Sequence, residues 1–208
     1  MAPKIRTHSF RRKSRPRALL SRALGSCGFA LYDMVLGQGP LASEPQLVGP
    51  MAPVVVRVTE PSDLEELGRR EGPGAMKRFA VNKGLGSRCV VAVDGTTLVG
   101  YAWLNTTCVE FLGEALGRLP TGTMFIHNVF VFPEHRGQKV LQQLLTGAWQ
   151  RGRAAGLHTA ACVVDRANAP ALAAFRRVGM CFRTAPIVKL PGLNPVLLGA
   201  RSLRSSEA

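Results

Sequence analysis

From Val54 onward the chain reads as an α/β domain, a mixed sheet with helices on its faces. Three observations predict that class. Strand-like runs and helix-periodic segments follow one another in the order β-α-α-β-β and then β-α-β-α-β, with further strands closing the chain. The tetrapeptide "DGTT", Asp94 to Thr97, separates two apolar runs and signals a hairpin. The stretch "VFVFPEHRGQKVLQQLL", Val129 to Leu145, feeds a strand into a helix through a short polar loop.

The elements follow in order. "VVVRV", Val54 to Val58, is β-branched and strand-like. "SDLEELGRR" opens with Ser62 and Glu65 at capping-box spacing, which predicts a helix start there. "AMKRFAVNKGLG" is a second helix ended by glycine. "RCVVAVDGTTLVGYAWLNTT" holds the two hairpin strands, and "TMFIHNVFVF" is the next strand. The helix from Val140 carries apolar residues at 140, 141, 144, 145, 148 and 149, one stripe of period 3.6, and stops near Gly156. "HTAACVVD" is a strand, "APALAAFRRVG" a helix, and "CFRTAPIVKL" and "PVLLG" are closing strands.

At 208 residues and 46% apolar, the chain suits one packed domain plus an appendage. No apolar run approaches the roughly 18 residues that span a membrane. Five cysteines, odd in number and scattered without CxxC or His/Cys clusters, predict neither a disulfide framework nor a structural zinc. A reducing cytoplasm is the simplest setting. The net charge of +14 favours polyanions, yet Arg outnumbers Lys 21 to 6, as GC-rich coding also produces.

Residues 1–53 read as a basic leader and linker, 54–200 as the folded domain and 201–208 as a tail. The leader's first 32 residues hold eight Lys or Arg and no acid. Three readings are open for it: a targeting peptide, a basic amphipathic helix contacting nucleic acid or an anionic membrane, or a disordered tail or overlong start. "QGPLASEPQLVGPMAP" reads as linker.

The chemistry concentrates in Pro133 to Leu141, "PEHRGQKVL". A helix's first N–H groups have no internal partner, so a strand–loop–helix junction is an anion site. Glycine serves where backbone approaches a phosphate, yet Lys139 and Leu141 stand at such positions. A later segment reads "NAPALAAFRRVGM", Asn168 to Met180. The two segments, in this order, resemble the GNAT superfamily of Gcn5-related N-acyltransferases, over about Val54 to Leu198.

That resemblance implies a mixed, mostly antiparallel central sheet with helices on both faces. It implies acetyl-CoA as acyl donor and direct attack by a primary amine within a ternary complex. The backbone of Arg136, Gly137, Gln138, Lys139, Val140 and Leu141 would hold the pyrophosphate. Val129 and Val131 would pair with the pantetheine arm, one of their amides polarising the thioester carbonyl. Asn168 would contact the pantetheine region or a bound water.

Lys139 and Leu141 depart from the family's small residues, which is tolerable if the side chains point away and φ stays negative. Phe175 stands where many members place a proton-donating tyrosine, and a phenyl ring donates no proton. A thiol's ordinary pKa of about 8.5 lets the thiolate leave with solvent as donor. His127, of a type titrating near 6.5, is the candidate base, or else an ordinary strand histidine satisfied by a carbonyl. Glu110 and Glu114 line an acceptor path or merely solubilise a loop. Tyr101 and Trp103 share one strand face as core or groove lining. Cys162 reads as packing; Arg176 and Arg177 reach the cofactor's 3′-phosphate or form a solvated face. A non-catalytic module of the same fold, binding nucleic acid or an acidic partner, is the rival reading.

Overall fold

The computed structural model describes residues 30–42 and 54–198. The remainder of the leader, of the linker and of the tail lies outside the described residues. The strands are β1 (Ala30–Tyr32), β2 (Met34–Pro40), β3 (Val54–Val58), β4 (Arg88–Asp94), β5 (Thr97–Asn105), β6 (Cys108–Phe111), β7 (Glu114–Arg118), β8 (Thr123–Val131), β9 (Thr159–Asp165), β10 (Cys181–Thr184), β11 (Ile187–Lys189) and β12 (Val196–Leu197). The helices are α1 (Pro61–Glu71), α2 (Pro73–Gly84), α3 (Val140–Ala154) and α4 (Ala169–Arg177).

Seven strands form the central sheet in the order β10-β2-β9-β8-β5-β4-β3. Every pairing in it is antiparallel except β8 with β9. α3 lays Leu144, Leu145, Ala148 and Trp149, all fully buried, against one face. On the other face, Leu64, Leu67 and Phe79 from α1 and α2 pack on Tyr101 and Trp103. Helices therefore cover both faces, as the element order implies. A small sheet β1-β11-β12 and the hairpin β6-β7 complete the fold.

The boundary at residue 53 is corrected at one place. β2, read from sequence as leader and linker, lies inside the central sheet between β10 and β9. Its "MVLGQGP" looks like linker because glycine and proline interrupt it, but these glycines serve close packing. A Cβ at Gly37 would stand 2.6 Å from Phe182 Cε1 and 2.8 Å from Cys162 Sγ.

The start of α1 also moves. Its N-cap is Glu60, with Pro61 in the first turn, so Ser62 is already helical. The Glu60 N–H donates to Asp63 Oδ2 at 2.6 Å, while Arg57 grips the same carboxylate at 2.5 and 2.8 Å. Asp63 titrates below the usual carboxylate range, because the Arg57 hydrogen bond favours the charged form more than burial opposes it. This clamp ties edge strand β3 to α1.

Candidate active site

The parallel pair β8–β9 is short. Rungs run from Thr123↔Thr159 to Ile126↔Cys162 and then stop, although β8 continues to Val131 and β9 to Asp165. The cause is a bulge in β8. Trp103 opposes His127 and Tyr101 opposes Phe130, so Asn128 and Val129 together face Ala102. Asn128 takes the left-handed conformation, φ 46°, to admit the extra residue. Beyond Ile126 the side of β8 that faced β9, including the backbone at Val129 and Val131, has no ladder partner among the described residues.

The loop lies at the open end of this cleft. A 3-10 turn, Pro133–His135, leads to Arg136, and Gly137 (φ 81°) and Lys139 (φ 61°) both adopt positive φ before α3 begins. The condition of negative φ is not met at Lys139: the lysine takes the left-handed backbone that glycine favours, at a cost of about 1–2 kcal/mol. Leu141 is half-buried against the main core, and Val140 is buried with Ala92, Val99 and Leu144. Both side chains turn from the loop into the packing of α3, so neither crowds it. The first intrahelical bond here runs from the Gln143 N–H to Lys139 O. A left-handed turn ahead of a helix N-terminus suits an anion.

Side chains brace the loop from behind. The Arg70 guanidinium of α1 lies 3.5 Å from the Phe132 ring centroid and bonds Leu98 O and Glu134. Arg136 Nε donates to Val131 O at 3.2 Å, and Gln138 Nε2 to Glu134 O at 3.4 Å.

His127 is the first residue of β8 past the last β9 rung, and it is 6% exposed. Its Nδ1 lies 2.6 Å from Glu110 Oε2, a close contact that falls short of an aligned hydrogen bond. Nε2 lies 3.0 Å from Ser87 Oγ. Glu110, 4% exposed, is no loop-solubilising residue. It sits on β6, its Oε1 accepts the Gly113 N–H at 2.5 Å, and Asn128 Nδ2 stands 3.5 Å from Oε2. Ser87, 5% exposed, receives a hydrogen bond from Asn105 Nδ2 at 2.9 Å. Ser87 and Asn105 were missed by sequence reasoning; a glutamate inside the apolar run "CVEF" was the one available signal for Glu110.

The other candidates disperse. Asn168 is the N-cap of α4, its Oδ1 accepting the Ala171 N–H at 3.2 Å. Phe175 is 4% exposed in the main core, edge-on to Phe182. Tyr101 and Trp103 are buried against Phe79. Burial pushes the Tyr101 phenol well above its usual range, with Glu71 adding to the shift. Cys162 is buried beside Gly37, its thiol likewise raised by burial. Glu114, Arg176 and Arg177 are exposed, and Arg176 stacks 5.7 Å over Phe182.

A strand pair that splays over a glycine-bearing loop and a helix N-terminus, within a mixed sheet, is the architecture of the GNAT fold. The chain belongs to the Acetyltransferase (GNAT) family, whose model matches residues 60–180. Its structure is similar to a GCN5-related N-acetyltransferase from Sphaerobacter thermophilus (20% identity, TM-score 0.53, 86% of this chain and 58% of that one). It is similar to a glucosamine N-acetyltransferase region of a fungal multi-domain GH3 β-N-acetylglucosaminidase (16%, TM-score 0.54, 86% of this chain and 23% of that one). A functionally unknown conserved protein from Staphylococcus epidermidis is similar too (15%, TM-score 0.53, 84% and 67%). At such identities these likenesses establish the fold alone. No curated protein matches the sequence. Among the described residues, no helix is long and apolar enough to cross a membrane.

Proposed function

We propose that the protein transfers an acetyl group from acetyl-CoA to a primary amine by direct attack in a ternary complex. One observation carries the reading: β8 and β9 part after Ile126 and Cys162, with His127 at the parting and the left-handed loop at its open end. The residues fit the donor. Gly137 has nothing within 4 Å of a built Cβ, leaving backbone accessible to a phosphate, and Leu141 is turned away. The Arg136 to Leu141 backbone would hold the pyrophosphate, with the dipole of α3 behind it. Val129 and Val131 would pair with the pantetheine arm, and an amide there would polarise the thioester carbonyl. The side chains of Asn168 and Phe175 are committed to a cap and to the core, so neither supplies an acid. His127 accepts the amine's proton, and the thiolate leaves unaided. The setting we propose is the cytoplasm, where the thiols stay reduced.

Calorimetric titration of acetyl-CoA into the full chain tests this, beside Lys139→Glu. Micromolar binding that weakens on charge reversal, followed by turnover in a panel of primary amines, is the expected result. A folded chain that ignores millimolar acetyl-CoA overturns it and leaves the non-catalytic module, whose basic leader lies outside the described residues.

A further inference from the structure

Asn105 is fully buried, and its neighbours fix which way its amide faces. Oδ1 accepts three donors, the Thr107 N–H at 2.7 Å, the Thr107 hydroxyl at 2.9 Å and the Cys108 N–H at 2.9 Å. Nδ2 therefore carries the hydrogens, donating to Leu85 O and to Ser87 Oγ, each at 2.9 Å. With that bond received, the Ser87 hydroxyl proton needs an acceptor of its own. Among the described residues the partner recorded for it is His127 Nε2. Ser87 donates, Nε2 accepts, and the neutral ring keeps its proton on Nδ1, facing Glu110. The opposite tautomer would strand a buried hydroxyl proton and aim a nitrogen lone pair at a carboxylate.

We infer that Asn105, Ser87 and Glu110 lock His127 in its Nδ1–H tautomer, and that a proton taken from the acceptor ammonium enters Nε2 through the Ser87 hydroxyl. The second half rests on the acetyl-transfer reading; the first does not. In the step, Oγ–H passes its proton to Nε2 while Oγ takes one from the ammonium across ordered water. The amine gains a free lone pair, the ring becomes imidazolium, and Glu110 is the counter-charge. On collapse of the adduct the nitrogen's second proton passes to the departed thiolate, and the imidazolium returns the first along the same chain to solvent. Glu110 and Asn105 are positioning residues.

Nitrogen-15 correlation spectra of the imidazoles in the full chain test the lock without any need for activity. The chain has four histidines, and the His127 signals are assigned by their loss in His127→Gln. The expected pattern at neutral pH is a protonated Nδ1 and an unprotonated, hydrogen-bonded Nε2. A protonated Nε2, or an even mixture, overturns the inference. Ser87→Ala is expected to mix the tautomers and to lower kcat about a hundredfold with acetyl-CoA affinity unchanged. Ser87→Thr keeps the hydroxyl and restores most of the rate. A Ser87→Ala chain that binds acetyl-CoA and turns over at the parent rate overturns the relay. Absence of acetyl-CoA binding by the parent overturns the relay together with the acetyl-transfer reading, while the spectrum still decides the tautomer.

Discussion

Replacing Asn105 by alanine removes the side chain that joins three segments around the candidate site. Its amide satisfies Leu85 O, the Ser87 hydroxyl, the Thr107 N–H and hydroxyl, and the Cys108 N–H. Thr107 is exposed and recovers its bonds from water, and Leu85 does so in part. The buried Cys108 N–H recovers little, while Ser87 Oγ keeps His127 Nε2 and loses only the bond it received. One stranded group at about 1–3 kcal/mol, a lost buried hydrogen bond of about 1 kcal/mol, a fraction for Leu85 and a small cavity give about 4 kcal/mol. That is a large share of the roughly 5–15 kcal/mol that holds a domain folded. Denaturant unfolding followed by tryptophan fluorescence reads it directly, since Trp103 and Trp149 are both fully buried. The midpoint should fall at constant slope, with a drop in Tm of about 12 °C. A loss below about 1 kcal/mol would refute the assignment of Asn105 as the node, because it would mean that water replaces the amide at every partner.

Truncation to residues 54–208 deletes β2 from between β9 and β10, and far-UV circular dichroism should find that fragment unfolded while residues 30–208 fold. Asp63→Asn should cost about 2 kcal/mol at neutral pH, since the amide keeps a single acceptor oxygen and so breaks the two-oxygen grip of Arg57 and removes the charge that faces it. The folded carboxyl titrates below its unfolded value, so its contribution is complete above about pH 4 and lost as pH falls through the lower folded pKa; the variant's acid unfolding should be correspondingly shallower there. Lys139→Gly relieves left-handed strain of about 1–2 kcal/mol against about 0.4–1 kcal/mol of added chain entropy, so stability should hold or rise slightly. Gly137→Ala, at φ 81°, should instead lose about 1 kcal/mol, and acetyl-CoA titration should show weaker binding than for the parent.

The sequence by itself determined the elements whose signals are local. The stripe from Val140 to Trp149, the Asp94–Thr97 turn and the Pro133–Leu141 junction each depend on residues a few positions apart, and they place the loop, the helix and the family. β2 escaped because its glycines look like linker until Phe182 and Cys162 stand beside Gly37, and neither is near it in the chain. The polar cluster escaped for the same reason. Ser87 and His127 lie 40 positions apart, and Ser87 and Asn105 lie 18 apart. Glu110 reads as a solvated loop residue until the β6-β7 hairpin carries it against β8. Periodicity and turn chemistry act within a segment, so they can be read along the chain. Which buried donor meets which acceptor is settled only when separate strands converge and each polar group must find a partner out of reach of water. The tertiary structure alone decided that His127 is paired.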